Sequence, residues 1–304
     1  MTERTSNGRE RVGNDQEDDE STYMTVKLKT SRKGNTSVKP TIMSAQALPA
    51  YEQMSVFTVL TEKGQAETAL SVIQQGPIGL DTEFCDPPAP VINADGTAQM
   101  ADPWQLMKLC VVQIAIPGEV FILPVKIMKA FPDNLRRILE SEAIAKAGVG
   151  LPLDGKVLFD AIGNGLVIRN MVDIGLMTKY SRVELYLDQD QSPLGLERCV
   201  QDILHRKLDK ELQKSVWSGS LTEAQVKYAG LDAQASLEVF SAVEPRLQQK
   251  ALSVPRGIPV NWYTFDCREG KPTRLATAYN GAYMPWSAKF CTWYMAGRFR
   301  GYHF

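Results

Sequence analysis

Five residues carry the chemistry this sequence can do: Asp81 and Glu83, Asp154, and the pair Tyr228 and Asp232. Asp81 and Glu83 close the apolar run Pro77-Ile78-Gly79-Leu80. If that run is a strand, positions two apart share a face and both carboxylates project together. Tyr228 and Asp232 stand four apart in a run, Leu221 to Phe240, that has strong helix formers and an apolar face at Val226, Leu231, Ala233 and Leu237. On a helix that spacing turns a phenol and a carboxylate to one side. Asp154 opens a helix-like stretch, Leu153 to Ile162, just after the apolar run Ala147-Gly148-Val149-Gly150-Leu151. Converging acids repel and raise one another's pKa, a conflict that divalent cations remove. The candidate ligands are all oxygen donors, which selects a hard ion, Mg²⁺ or Mn²⁺, over zinc. Taken singly, acids two apart are usually exposed surface and a Tyr/Asp pair at helical spacing is usually a surface hydrogen bond. The set in order is what points to a metal site.

In this order the motifs resemble the DEDDy 3′–5′ exonucleases, the ribonuclease D-like family, nearest its Werner-type branch. The likeness rests on Gly79-Leu80-Asp81-Thr82-Glu83, on Lys146-Ala147-Gly148-Val149-Gly150 ahead of Asp154, and on Val216-Trp217-Ser218 with Leu221-Thr222 ahead of Tyr228-Ala229-Gly230-Leu231-Asp232-Ala233. It covers residues 55 to 248. The resemblance implies removal of nucleoside 5′-monophosphates from single-stranded or 3′-ended DNA or RNA by a two-metal-ion mechanism with Mg²⁺ or Mn²⁺. It implies Asp81 between the two metals, Glu83 and Asp232 on the metal that binds the attacking water, Asp154 supporting the second metal through water, and Tyr228 orienting that attacking water. Two other readings stand beside it: a catalytically weak, exonuclease-like nucleic-acid-binding or scaffold protein, and a phosphodiesterase acting on small nucleotides. Three departures from the family pattern are the Pro-rich stretch from Phe84 to Pro103, read as an inserted loop beside the site, Pro152, and the tail beyond the exonuclease region, which the family does not explain. A proline near a helix start is sterically acceptable.

The elements that must position these residues follow from periodicity. Val56 to Leu60 reads as a strand, Ala66 to Gln74 as a helix leading into Pro77 to Glu83. Lys108 to Ile116 and Val120 to Leu123 flank Pro117-Gly118, a hairpin signal. Pro132 to Glu142 reads as a helix with Leu135, Ile138 and Leu139 on its apolar face, and Ile144 to Leu151 as a buried strand. Val172 to Tyr180 runs from a short strand into a helix, and Leu196 to Leu208 is helical. Asp160 and Asp173 rival Asp154 as the isolated acid. Asp160 would stand roughly 240° around the helix from Asp154, which favours Asp154. His205 reads as a partly buried surface histidine, and Trp217 as packing the loop before the last helix. Strands first, then alternating elements, predict an α/β mixed sheet with helices on both faces. This agrees with the ribonuclease H-like fold that the resemblance implies, five- to six-stranded, with a disordered N-terminal tail and an extra C-terminal extension.

Three regions are expected: a polar tail over 1–50, the exonuclease domain over 51–250, and an aromatic and basic extension over 251–304. The tail has too little apolar surface to offset chain entropy. Its Lys27-Leu28-Lys29 and Arg32-Lys33 form a thin basic cluster, read as a solvated charge run ahead of a nuclear import signal. The extension interleaves Trp262, Phe265, Tyr283, Trp293 and other rings with Arg256, Arg268, Lys271 and Arg298. Such interleaving suits a single-strand binding surface, although folding back on the core or contacting a protein partner is favoured. A net charge of −1 assigns any nucleic-acid affinity to local patches and metals. The five cysteines, with none at Cys-x-x-Cys spacing, read as reduced thiols of an intracellular protein, nuclear ahead of cytoplasmic. No apolar run has the length of a membrane span, and the first residues lack a signal-peptide pattern.

Overall fold

The computed structural model describes residues 48–86, 103–163, 165–181, 193–253 and 264–273. In chain order, β1 (Val56–Val59) and α1 (Lys63–Leu70) lead to β2 (Gly76–Phe84). A short α2 (Pro103–Leu106) precedes β3 (Leu109–Ile116) and β4 (Glu119–Leu123), the hairpin turned at Pro117-Gly118 as the sequence predicts. Next come α3 (Val125–Met128), α4 (Asp133–Glu140), β5 (Ile144–Gly148), α5 (Leu151–Ile162), β6 (Val167–Asp173) and α6 (Ile174–Ser181). After them stand α7 (Leu196–Leu204), α8 (Glu223–Ser253), β7 (Thr264–Arg268) and β8 (Lys271–Thr273).

The strands make one mixed sheet in the order β1-β4-β3-β2-β5-β6-β7-β8. The pairs β1/β4, β2/β5 and β5/β6 are parallel, and the others antiparallel. Six strands come from residues 51–250, within the expected five to six. The sheet nevertheless has eight, because two more come from beyond residue 251. β7 joins β6 at an irregular register, where Asn170 adopts a φ of 53° and its N–H donates to Asp266 Oδ1 at 3.0 Å. Phe265 is buried in the core, so this ring of the extension folds back on the domain.

Alternation along β2 decides what faces what. Ile78 and Leu80 enter the core shared with Leu70 of α1, Leu135 and Leu139 of α4 and Leu158 of α5. Gly79 faces α8 on the opposite side, and a Cβ built on it would lie 2.0 Å from the Ala233 carbonyl oxygen. Backbone meets backbone there, which only glycine allows. Asp81 and Glu83 continue that face, so the close approach brings their strand against the helix of Tyr228 and Asp232. Val111, Ala115, Val120 and Ile122 pack with Ala229, Ala233 and Leu237 in the same layer. Gln234 of α8 fixes the chain before β1, accepting the N–H groups of Met54 and Ser55 and donating to the Tyr51 hydroxyl.

Some boundaries differ from expectation. The α8 helix runs on through Pro245 to Ser253, and β6 begins at Val167, five residues before the expected short strand. The first helix spans Lys63–Leu70 and so ends before Gln74. His205 is exposed, ending α7 with a φ of 53°. Pro152 stands in the first turn of α5 as the sequence reading allows. The tail of 1–50 expected to be disordered falls almost wholly, and the stretch of 84–103 expected to be an inserted loop mostly, outside the described residues, as do the other aromatics of the 251–304 extension. Among the described residues, no helix is long and apolar enough to cross a membrane.

Gly79→Ala should force β2 and α8 apart. We expect a loss of at least about 2 kcal/mol of unfolding free energy by urea denaturation, with an unchanged far-ultraviolet spectrum at low urea.

Candidate active site

Three of the five sequence-selected residues converge at the contact of β2 with α8. One carboxylate oxygen each from Asp81, Glu83 and Asp232 lies within 4.8 Å of the others. Glu83 and Asp232 are buried, whereas Asp81 is half-buried. Tyr228, one helical turn before Asp232, is also buried. The Trp217 ring lies 5.8 Å from the Tyr228 ring, so Trp217 packs the approach to α8 as expected.

Asp154 is placed differently. It lies on α5, across the sheet from α8, and is not one of the three converging carboxylates. It reaches β2 through Thr82, whose hydroxyl donates to Asp154 Oδ1 at 2.6 Å. Thr82 sits between Asp81 and Glu83 and, by strand alternation, points to the other face. The rival acids are engaged elsewhere. Asp160 is exposed and paired with Lys156 at 2.5 Å. Asp173 accepts the Leu176 N–H at the start of α6, at 3.1 Å.

Burial and like charge work against ionisation across the group. Burial raises Asp81 well above the usual carboxylate range, and Asp232 and Asp154 add to the effect. Glu83 is pushed up to about 10 by burial, then by Asp81 and Asp232. Burial raises Asp154 to about 7 against the Thr82 hydrogen bond. Asp232 is also raised by burial, while Lys210 acts in the opposite direction.

Lys210 is the residue that sequence reasoning missed. Its ammonium lies 2.6 Å from Asp232 Oδ2 and 3.5 Å from the Tyr228 hydroxyl, with Nζ 5.4 Å from the centre of that ring. It stands 18 positions before Tyr228, where no helical or strand period links it to the acids. The one available signal is its place in the polar approach to Trp217. Thr82 was hidden for another reason, since its face is the one that the Asp-x-Glu pattern skips.

One lysine does not satisfy the site. Asp232 Oδ1 is buried with no hydrogen-bond partner, a costly state for a carboxylate oxygen. A divalent cation among the three carboxylates would engage that oxygen and cancel the mutual repulsion. The donor set therefore fits a metal.

The 3′–5′ exonuclease family model matches residues 99–248. Over 171 residues, 54% of this chain, the sequence is 31% identical to exonuclease 3′–5′ domain-containing protein 2 of Homo sapiens, covering 24% of that protein. Over 143 residues, 45% of this chain, it is 30% identical to the bifunctional 3′–5′ exonuclease/ATP-dependent helicase WRN of Mus musculus, covering 10% of it. The chain spans well under half the length of the curated relatives it matches. Ribonuclease D of Escherichia coli shares the fold, with a TM-score of 0.50 at 18% identity over 64% of this chain and 46% of that one.

The raised carboxyl groups predict a pH dependence. A carboxyl whose folded pKa lies above its unfolded value adds stability that is complete below the unfolded value and is lost as pH rises toward the folded one. With Asp154 raised to about 7 and Glu83 to about 10, the metal-free chain should lose thermal stability from pH 5 to 7. Asp81→Asn with Glu83→Gln should flatten that slope in a melting series with chelator. Lys210→Met should lower the melting temperature of the metal-free chain, and millimolar Mn²⁺ should recover most of the loss.

Proposed function

We propose, from the premise that this chain belongs to the 3′–5′ exonuclease domain family, that it is a metal-dependent exonuclease releasing nucleoside 5′-monophosphates from the 3′ end of DNA or RNA. The observation that carries this reading is the meeting of Asp81, Glu83 and Asp232, together with a buried Asp232 oxygen that has no hydrogen-bond partner. A fold alone hosts many activities, but a site that buries like charges together has little structural use without a cation.

Asp81, Glu83 and Asp232 would hold the metals directly, and Asp154 would complete the second position through water. Two Mg²⁺ or Mn²⁺ ions would supply an activated water and stabilise the departing 3′ oxygen. The chain's own residues orient the reactants. Burial raises the Tyr228 phenol above its ordinary pKa, so it stays protonated and can donate and accept hydrogen bonds at the attacking water. Trp217 packs against the ring from one side, and Lys210, beside Asp232 and the Tyr228 hydroxyl, would offer positive charge to a phosphate oxygen. Thr82 keeps Asp154 in register with the strand that bears Asp81 and Glu83.

The test is digestion of 5′-labelled single-stranded DNA and RNA with Mg²⁺ or Mn²⁺. A ladder shortening from the 3′ end should appear with the unaltered chain and vanish with Asp81→Ala and Asp232→Ala. Tyr228→Phe should lower kcat about a hundredfold with little change in KM. The absence of a ladder from folded, metal-loaded protein would instead favour the scaffold reading.

A further inference from the structure

Two thiols meet beside the acidic group without taking part in it. Cys85 follows Glu83 by two residues, just past the end of β2, and Cys110 lies on β3. Their sulfurs are 3.1 Å apart, and both are free cysteines. The β2/β3 register shifts between Glu83 and Phe84, directly before this contact. The Cys85 N–H donates to the Lys108 carbonyl at 3.0 Å, which holds its backbone against β3. Lys126 is buried, donates to the Met107 carbonyl at 2.8 Å and places its ammonium 3.7 Å from the Cys85 sulfur. Cys85 is half-buried between exposed Phe84 and Asp86, whereas Cys110 is buried. An oxidant from solvent therefore meets Cys85 first, with Cys110 already at hand.

The geometry points to a hydroperoxide-responsive dithiol: Cys85 and Cys110 close to a disulfide, and closure weakens metal binding at Asp81, Glu83 and Asp232. The location of the metal site rests on the reading given above. In the first step a hydroperoxide oxidises the Cys85 thiol to a sulfenic acid and is itself reduced, hydrogen peroxide giving one water. In the second, the Cys110 sulfur attacks the Cys85 sulfur and the sulfur–oxygen bond breaks. The departing hydroxide takes the proton that Cys110 gives up and leaves as water. Two thiols and one hydrogen peroxide thus yield one disulfide and two waters.

A disulfide requires a sulfur separation near 2.05 Å, so the pair must close by about 1 Å. The movement is taken up where the β2 ladder is already irregular, and Glu83 lies on that irregularity. Intracellular disulfides are commonly transient and regulatory, which suits a contact at the rim of a catalytic strand better than a permanent staple.

The test uses the full chain. After treatment with hydrogen peroxide, peptide mapping by mass spectrometry should find Cys85 and Cys110 joined, and dithiothreitol should undo the bond. Neither Cys85→Ser nor Cys110→Ser should form it, with Cys110→Ala as a substitute if the serine destabilises the core. Calorimetric titration with Mn²⁺ should show binding about tenfold weaker in the oxidised chain. Peroxide-treated Cys110→Ser should keep the affinity of its untreated form. A missing crosslink overturns the proposal, as does a crosslinked chain that binds Mn²⁺ unchanged. Neither readout uses nuclease activity, so a chain that crosslinks and loses Mn²⁺ but cuts no nucleic acid would refute the exonuclease reading alone.

Discussion

Three carboxylates brought together at a strand–helix contact set the terms for everything around them. Gly79 permits the contact by giving up its side chain to the Ala233 carbonyl, and every residue after it on β2 inherits that proximity. Asp81 and Glu83 are thereby held against a helix that carries a carboxylate of its own. Water would screen such a group on an open surface, but burial removes that relief. Lys210 offsets part of the charge at one oxygen of Asp232 and leaves the other unpartnered. The fold thus keeps a local conflict that a cation would resolve, and the hydrophobic layers on either side of the sheet bear its cost.

The sheet also links the site to parts of the chain remote from it. Thr82 transmits the position of β2 to α5 through its bond to Asp154. The α5 helix is braced in turn from the C-terminal hairpin, because a Cβ on Gly155 would lie 2.7 Å from the Cys267 sulfur of β7. Gly155 follows Asp154 directly, so the packing of β7 bears on the aim of that carboxylate. Asp266 secures the same strand by accepting the Asn170 N–H at the irregular register of β6. The segment 264–273, whose composition invites a reading as an appendage, thereby supports one of the acids.

Much of this was legible in the sequence because strand and helix periods are local. Asp81 and Glu83 share a face through the period of two, and Tyr228 and Asp232 through the period of four, so both pairs could be located before any fold was known. The central strand, the hairpin and the helix of Asp154 were legible for similar reasons. Lys210 was not, since its approach to Asp232 depends on how the loop before α8 is packed. Thr82 could have been read from alternation once Asp154 was known to lie in the opposite layer. The β7 and β8 strands escaped because they are five and three residues long, and strands so short owe their form to pairing, β7 with β6 and β8 with β7, more than to their own sequence.

The two faces of β2 do different work with one backbone. One face turns carboxylates toward α8, and the other secures Asp154 through a neutral hydroxyl. An acidic residue at Thr82 would add to the repulsion, and an apolar one would leave Asp154 Oδ1 without its donor. Threonine supplies that donor without net charge, and its β-branched side chain suits a strand. The sheet register fixes Asp81 to Gln113 and Glu83 to Val111 across β3, then shifts immediately beyond Glu83. Asp81 is therefore anchored in a regular ladder, while Glu83 sits at the boundary where the ladder gives way. Of the two, the carboxylate at that boundary has the greater freedom to adjust, and the one within the ladder sets the fixed point.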